Sequence, residues 1–328
     1  MKTVRMGHSG IDVSALCLGT MNFGTRTDEE TSFNLLDTYV AAGGNFLDTS
    51  NNYAFWAEGG QGGESELVIG RWMRERGNRE RLTIATKVGA QPLTPGSGLS
   101  NVEGLSSQAI EAAVEGSLRR LGIETIDLYY AHVDDRRVPI EETLEAFDRL
   151  VRAGKVRALG CSNIVTWRIA EAQTAAASRG LTPYCATQQR FSYLRPRENA
   201  DFGTQSQLGS VSEFGIEFSA STEFIDRCHS RSDMVILAYS PLLRGAYAGR
   251  ELNSEYRTAE NEQRMTSLRK VAEELGVTPN QVVLAWLLQV PPATIPILAA
   301  SSVAQLTENM RATRLTIEEQ QLRLLGSF

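Results

Sequence analysis

Short apolar segments rich in Val, Ile, Leu and Tyr alternate along the chain with longer segments whose apolar residues recur at helical spacing. This alternation is typical of repeated βα units. The apolar segments predict eight strands, at residues 15–18, 46–48, 82–87, 126–132, 156–161, 184–188, 234–239 and 294–297. Because eight such units favour closure, we predict an α/β fold of the (β/α)8 TIM-barrel type, with a large doubly wound sheet as the open alternative.

The longer segments predict helices, and the first of them illustrates the pattern. Within residues 28–42, Leu35, Leu36 and Tyr39 share one face, and Gly43 follows where the helix should end. The other predicted helices are at residues 64–76, 107–121, 140–153, 166–178, 223–229, 262–275, 280–289, 303–312 and 317–325. Since these helices outnumber one per strand, the barrel should carry extra helices.

Two segments lie outside this repeat. Residues 3–5 and 11–13 flank a turn at 7–10, which predicts an N-terminal hairpin able to plug the bottom of the barrel. Residues 195–221 have weak periodicity and many Gly, Ser, Gln and Asn residues, and therefore predict a long loop after the sixth strand. The length of 328 residues fits a single barrel domain with insertions, spanning 1–328.

Composition and charge make several classes of protein unsuitable. The net charge is −6 and the basic residues are scattered, so no basic stripe is available to bind nucleic acid. The four cysteines lack the paired spacing of a zinc site and indicate reduced thiols in the cytoplasm. Neither a signal-like segment nor a run of 18 apolar residues is evident. We therefore expect a cytoplasmic protein without a nucleic-acid or membrane partner.

Four polar residues fall at or just beyond predicted strand ends, where a parallel barrel gathers its active site. They are Asp48, Tyr53, Lys87 and His132. Taken singly, Asp48 fits a turn, Tyr53 packing, Lys87 a solvated strand end and His132 a satisfied core histidine. Taken together, they form an acid catalyst. The lysine lowers the tyrosine pKa from its usual value of about 10, the aspartate balances the lysine, and the histidine orients a carbonyl oxygen or assists proton transfer.

These four residues resemble the Asp, Tyr, Lys and His tetrad of the aldo-keto reductase superfamily. The segment GESE at 63–66 and the segment GKVRALGCSN at 154–163 resemble further family segments, and the resemblance covers essentially the whole chain. Within the superfamily, the chain is similar to the bacterial branch that resembles channel β-subunits. The resemblance implies a metal-free, NADP(H)-dependent oxidoreductase that reduces an aldehyde or ketone by hydride transfer, with Tyr53 as proton donor.

The same resemblance implies an NADP(H) site in three parts. The residues that match contacts to the nicotinamide are Ser162, Asn163, Gln188 and Tyr239. Those that match the loop along the pyrophosphate are Ser240, Leu242, Arg244 and Gly245. Those that match the adenosine-binding segment are Ser301, Gln305, Glu308 and Asn309. Ala299 and Gln305 replace the Lys and Arg that some members use on the 2′-phosphate, so only a moderate preference for NADP over NAD is expected.

Aromatic residues follow Tyr53 directly and indicate the wall of a substrate pocket. Phe55 and Trp56 are the candidates, with Asn51 and Asn52 as polar neighbours. This combination suits a sugar or keto-sugar, and it suits an aromatic aldehyde as well. We expect Tyr130 to face the opposite side of its strand from this pocket.

Three other interpretations stay open. A Rossmann dehydrogenase is disfavoured because no G-x-G-x-x-G segment follows a predicted strand. A barrel hydrolase that uses carboxylates at strand ends has few such acids available. A cofactor-binding regulatory subunit with little turnover remains an alternative, because some relatives act as partners of channel proteins. A small-molecule carbonyl compound is the expected partner, and a homo-oligomer is compatible with the sequence.

Overall fold

A hairpin of β1 (Thr3–Arg5) and β2 (Asp12–Ser14) precedes eight parallel strands that close into a barrel. The computed structural model describes residues 1–94, 97–197, 200, 222–231 and 233–326. The barrel strands are β3 (Cys17–Gly19), β4 (Phe46–Asp48), β5 (Thr83–Val88), β6 (Ile126–Ala131), β7 (Val156–Ser162), β8 (Tyr184–Arg190), β9 (Val235–Tyr239) and β10 (Thr294–Leu298). Because β10 pairs with β3, the sheet closes, and the TIM-barrel prediction is confirmed over the doubly wound alternative.

Helices follow the strands around the barrel. They are α1 (Glu29–Ala41), α2 (Glu64–Arg76), α3 (Ser107–Leu121), α4 (Ile140–Arg152), α5 (Thr166–Arg179), α6 (Thr222–Arg231), α7 (Ala259–Leu275), α8 (Pro279–Gln289), α9 (Val303–Met310) and α10 (Glu319–Leu325). Sequence signals mark their ends: the Asp28 carboxylate accepts from the Thr31 amide at 2.8 Å, and Pro279 opens α8. Both α7 and α8 lie between β9 and β10, so the predicted extra helices are confirmed.

Strand side chains alternate between the barrel interior and the helix layer. On β4, Phe46 packs inside the barrel, whereas Leu47 packs outside against helix residues such as Leu36. Tyr130 lies inside with Leu128, so the expectation that it faces the other way is wrong. The reason is that positions two apart on a strand share a face, and position 130 therefore faces the same side as position 132.

The β1–β2 hairpin covers the N-terminal end of the barrel. Its residues Met6 and Val13 are fully buried among the interior side chains. At Gly7, where φ is +50°, an added Cβ would lie 2.3 Å from the carbonyl oxygen of Cys185, so the close approach requires glycine. The predicted plug is thus observed, and the candidate catalytic residues lie at the opposite end of the strands.

Two further sequence predictions concern the long loop at 195–221 and the lack of a membrane-spanning segment. Of the predicted long loop, residues 198–199 and 201–221 lie outside the described residues. Within the part of the chain that the structure does describe, every helix is too short or too polar to span a lipid bilayer.

Candidate active site

The ammonium group of Lys87 lies at the centre of the candidate site. Lys87 is on β5, and its side chain is fully buried. Nζ donates to Asp48 Oδ1 at 2.6 Å, to the Thr49 carbonyl oxygen at 2.7 Å and to Tyr53 Oη at 2.9 Å. An ammonium group has three donors, and each has an acceptor here. The buried cation is therefore fully hydrogen-bonded and paired with a carboxylate, as a buried charge requires.

Burial decides the protonation states of Tyr53 and Lys87. Burial raises the pKa of Tyr53 to about 12, and the nearby ammonium of Lys87 opposes this rise without cancelling it. The sequence analysis therefore predicted correctly that Lys87 lowers the pKa of Tyr53. It was wrong about the net shift, because burial raises this pKa by more than Lys87 lowers it. For Lys87, burial lowers the pKa, but the charges of Asp48 and Tyr53 outweigh it and leave the pKa raised. At neutral pH Tyr53 keeps its proton and Lys87 keeps its charge.

His132 follows β6, and its ring packs edge-to-face against the Tyr53 ring, with the centroids 6.2 Å apart. Its Nδ1 lies 3.1 Å from Ser50 Oγ, and Ser50 Oγ donates to Asn52 Oδ1 at 2.7 Å. Burial, and secondarily the charge of Lys87, lower the pKa of His132 well below its ordinary value. The imidazole is therefore neutral at neutral pH.

The loops that carry these residues are joined by a partly buried carboxylate that the sequence analysis missed. Glu103 accepts from Asn51 Nδ2 at 2.8 Å and from the Gly89 amide at 2.7 Å. Burial raises the pKa of Glu103 even though these donors favour its charged form. Asn51 belongs to the loop after β4 and Gly89 to the loop after β5, so Glu103 holds the two loops together. No local sequence pattern identifies it.

All four residues predicted for the nicotinamide form direct contacts with the tetrad or with each other. Gln188 Nε2 donates to Asp48 Oδ2 at 2.8 Å. Asn163 Nδ2 donates to the His132 carbonyl oxygen at 3.0 Å, and Asn163 Oδ1 accepts from Tyr239 Oη at 2.9 Å. Ser162 joins the group by accepting from Asn163 Nδ2 at 3.1 Å. The structure thus brings this predicted set and the tetrad together at the carboxyl ends of the strands.

Arg190, at the end of β8, is another residue that the sequence analysis missed. It is nearly buried, and its guanidinium carbon lies 5.5 Å from the centroid of the Tyr239 ring. A cation over an aromatic face stabilises the position of the ring. The sequence feature that could have identified it is its position two residues after Gln188. At that spacing the two side chains lie on the same face of β8, which continues past its apolar part.

The segment predicted for the pyrophosphate is a tight turn after β9. Its residues Ser240, Leu243, Arg244 and Gly245 all have positive φ, of 53°, 44°, 57° and 95°. Non-glycine residues in this region carry local strain, which concentrates at functional sites. Arg244 is exposed on this turn, and Gly245 donates its amide to the Leu242 carbonyl oxygen.

The segment predicted for adenosine lies at and within α9. Gln305 Oε1 accepts from the Ser301 amide at 2.9 Å, and Glu308 Oε1 accepts from Thr278 Oγ1 at 2.9 Å. Asn309 is fully buried, yet neither its Oδ1 nor its Nδ2 has a hydrogen-bond partner among the described residues. A buried amide without partners is costly and calls for an explanation, such as an absent ligand.

The predicted pocket wall is an aromatic cluster around Tyr53. The Trp56 ring lies edge-on to the Tyr53 ring at 6.1 Å and to the Phe55 ring at 5.1 Å. Trp56 keeps 38% of its surface exposed. By contrast, Asn51 and Asn52 are buried and direct their amide groups to Glu103, Ala90 and Ser50. The exposed surface of the wall is therefore aromatic, and the one asparagine atom without a partner among the described residues, Asn51 Oδ1, is buried.

Comparison with known proteins matches this geometry to one family. The sequence profile described as the Aldo/keto reductase family matches residues 15–327. The chain is 34% identical to the uncharacterized oxidoreductase YrpG of Bacillus subtilis, with 100% of this chain and 96% of the relative covered. It is 30% identical to the aryl-alcohol dehydrogenase [NADP(+)] of Phanerodontia chrysosporium, with 97% and 83% covered.

A solved structure agrees with both the fold and the family. The thermostable aldo-keto reductase Tm1743, crystallised with the inhibitor epalrestat, superposes with a TM-score of 0.73 at 26% identity. The superposition covers 99% of this chain and 98% of that one. These relatives are oxidoreductases, and the arrangement of Asp48, Lys87, Tyr53 and His132 suits the reduction of a carbonyl group. The chain belongs to the aldo/keto reductase family.

Proposed function

We propose that this chain is an NADP(H)-dependent reductase of aldehydes and ketones, and that aromatic carbonyl compounds are its substrates. The observation that carries the proposal is the fully buried Lys87 ammonium bonded at once to Asp48 and to Tyr53 Oη. A cation held against a protonated phenol prepares a proton donor whose anion is stabilised as it forms.

The residues of the chain then have distinct roles. When bound, the nicotinamide supplies a hydride to the carbonyl carbon. Tyr53 donates its phenolic proton to the carbonyl oxygen, which becomes the hydroxyl of the product alcohol. Lys87, kept charged by Asp48, stabilises the negative charge that develops on Tyr53 Oη. Asp48 and Lys87 are buried and Tyr53 is partly buried, which limits the access of water and strengthens these interactions.

The fit of the cofactor rests on the chain's own polar groups. Ser162, Asn163, Gln188 and Tyr239 would hold the nicotinamide end, and Ser240, Leu242, Arg244 and Gly245 the pyrophosphate. Ser301, Gln305, Glu308 and Asn309 would hold the adenosine end. The buried amide of Asn309, without a partner among the described residues, supports this assignment because adenine offers both donors and acceptors. Arg244 is an exposed cation suited to phosphate oxygens.

The aromatic substrate class is supported by the wall around Tyr53. Phe55 and Trp56 provide apolar surface, whereas the amide nitrogens of Asn51 and Asn52 already bond within the protein. Asn51 Oδ1 has no partner among the described residues, but it is buried. A sugar would need such polar groups free, so we place sugars second to aromatic aldehydes and ketones. The name of the Phanerodontia relative, an aryl-alcohol dehydrogenase [NADP(+)], agrees with both the substrate class and the cofactor.

Purified protein tests the proposal directly. We expect oxidation of NADPH with 4-nitrobenzaldehyde, faster at equal concentration than with an aldose, and unchanged activity after treatment with a metal chelator. NADPH binding without turnover across a broad panel of carbonyl compounds would instead indicate the regulatory subunit. Activity lost to chelator and restored by a divalent ion would reject the tetrad mechanism.

Several finer points stay within the proposal. A cytoplasmic location is supported by four buried cysteines that are all free thiols, as in a reducing compartment. A small-molecule partner, rather than nucleic acid or membrane, agrees with the net charge of −6. The single domain, a homo-oligomer and membership of the branch that resembles channel β-subunits stay predictions.

A further inference from the structure

A chain of hydrogen bonds leads from the loop after β5 to the imidazole of His132. It begins at the Ala90 carbonyl oxygen, which accepts from Asn52 Nδ2 at 3.1 Å. Because a carbonyl oxygen can only accept, the amide nitrogen of Asn52 must face Ala90. The amide oxygen of Asn52 then faces Ser50 Oγ, 2.7 Å away. The orientation of the Asn52 amide is thus fixed by its surroundings.

That orientation decides the direction of the next two hydrogen bonds. Asn52 Oδ1 cannot donate, so the single hydroxyl proton of Ser50 points to it. Ser50 Oγ is left as an acceptor for His132 Nδ1, which lies 3.1 Å away. If Ser50 donated to His132 instead, two acceptor atoms would face each other at 2.7 Å and the buried Asn52 oxygen would lack this donor. Nδ1 of His132 therefore carries a proton.

The imidazole holds only that one proton at neutral pH. Burial and the charge of Lys87 lower the pKa of His132, so the doubly protonated ring is disfavoured. The charged and titratable groups around it are Lys87, its partner Asp48 and Tyr53. Nε2 consequently carries a lone pair, and no residue within the described ranges donates a hydrogen bond to it.

We propose that Ser50 and Asn52 are positioning residues that fix the proton of His132 on Nδ1, so that Nε2 meets the substrate as a hydrogen-bond acceptor. This inference rests on the proposed carbonyl reductase function. A carbonyl oxygen gains no hydrogen bond from such a nitrogen, and Tyr53 is therefore its donor. A hydroxyl group on the carbon beside the carbonyl does gain one. The site thus favours carbonyl compounds that carry an adjacent hydroxyl donor, and His132 recognises that group rather than the carbonyl oxygen.

The position of the proton can be measured without turnover. The protein has three histidines, so labelling with ¹⁵N-histidine and two-bond ¹H–¹⁵N correlation, assigned with His132→Gln, gives a small set of signals. At neutral pH we expect His132 to show a protonated Nδ1 and an unprotonated Nε2. Ser50→Ala should move the proton toward Nε2. The matched control is Ser65→Ala, because Ser65 is equally buried but bonds to Thr20 and Thr49, and it should leave the proton on Nδ1.

The specificity is read from a pair of substrates. We expect wild-type kcat/KM for 2-hydroxy-1-phenylethanone to exceed that for 2-methoxy-1-phenylethanone by about tenfold, the value of one good hydrogen bond. The ratio should approach one in Ser50→Ala and keep its wild-type value in Ser65→Ala. A proton on Nε2 in the wild-type protein would overturn the inference whether or not the protein turns over. Equal use of the two ketones by active wild-type enzyme would overturn it as well, even if Ser50→Ala does not fold.

Discussion

The residues around Lys87 and the residues of α9 differ in how far the protein itself satisfies them. Every donor of the Lys87 ammonium has an acceptor, and the group is fully buried. At α9, the exposed side chain of Gln305 bonds to Ser301 alone among the described residues, and the buried amide of Asn309 has no partner among them. The first region is organised by contacts within the chain itself, whereas under the proposed function the second would be completed by the bound cofactor. On that proposal the proton donor is prepared by contacts within the chain, and the choice of cofactor would depend on contacts that form on binding.

The strongest way to test this difference is to remove the proton donor alone. In Tyr53→Phe, reduction needs another acid, so kcat should fall by about 10²–10⁴. NADPH affinity should change little, because the ring and the cofactor contacts remain. The measurements are steady-state kinetics and NADPH titration by fluorescence. Near-normal turnover would contradict the assignment. Tyr39→Phe is the control, since Tyr39 is a fully buried, hydrogen-bonded tyrosine near the other end of the barrel, and loss of its hydroxyl should not change kcat.

Removal of the cation should have the next largest effect. In Lys87→Met the developing charge on Tyr53 loses a charged hydrogen bond, so kcat should fall about ten- to hundredfold. Since Lys87 opposes the rise in the pKa of Tyr53, its loss should raise that pKa further above about 12. Reduction uses the protonated form, so the loss of activity at high pH should move to still higher pH. A profile that moves to lower pH would contradict this account.

The same variant compares a buried ion pair with an exposed one. Lys87→Met leaves Asp48 buried without its cation and should lower the free energy of unfolding by about 3–5 kcal/mol. Lys155→Met breaks the pair with Glu115, in which both side chains are more than 40% exposed, and should cost at most about 1 kcal/mol. Urea unfolding of the two variants measures the contrast. Equal losses in the free energy of unfolding would mean that the buried Lys87–Asp48 pair stabilises the fold no more than the exposed Lys155–Glu115 pair does.

Hydrophobic periodicity was sufficient for the fold but not for the active-site ends of the strands. All eight barrel strands were predicted, because their apolar residues contact either the interior or the helices. β8, however, continues through Arg190, two residues beyond the prediction. Gln189 and Arg190 are buried polar residues, and Gln189 donates to the Ile164 carbonyl oxygen at 2.8 Å. Polar residues buried by specific partners do not follow an apolar pattern.

The site shows the same limit more sharply. The tetrad could be predicted because its residue types, positions at strand ends and family resemblance agree. The role of Ser50 could not, because it depends on His132, 82 positions away. Glu103 depends in the same way on Asn51, 52 positions away. A short stretch of sequence shows which residue types are present. The roles of Ser50 and Glu103 depend instead on contacts with residues distant in sequence, which form only when the barrel closes.

A fourth prediction tests the region of the comparison that lacks hydrogen-bond partners, at α9. Asn309→Leu removes a buried amide without partners among the described residues, so the free energy of unfolding without cofactor should rise by about 1–3 kcal/mol. The same change removes the proposed contact to adenosine, so NADPH affinity should fall about tenfold while kcat stays unchanged. Thermal unfolding with and without NADPH measures both effects. Asn261→Leu is the control, because Asn261 is equally buried but bonds to Arg195 and Tyr256, and its loss should destabilise the protein.

The smallest expected effect concerns the preference for NADPH over NADH. The first turn of α9 follows the N-cap Ser302, and a helix N-terminus favours a phosphate by about 0.3–1 kcal/mol. This corresponds to about a two- to fivefold higher kcat/KM with NADPH in the wild-type enzyme. Among residues 301–309 there is no Lys or Arg to pair with the 2′-phosphate. Equal or better use of NADH would reject the preference and leave the tetrad assignment intact.

Gln305→Arg should widen this gap, because it places a cation where the chain has a neutral amide. The position is exposed, so the added ion pair should be worth about 0.2–1 kcal/mol, or up to about fivefold in the ratio of kcat/KM values. Arg also removes the bond from the Ser301 amide to Gln305, and Gln305→Met separates the two effects because it loses that bond without adding charge. The gain in Gln305→Arg should shrink as salt concentration rises, since an exposed pair is screened. A gain that also occurs in Gln305→Met, or that does not respond to salt, would show that rearrangement of the loop, rather than charge, controls cofactor choice at α9.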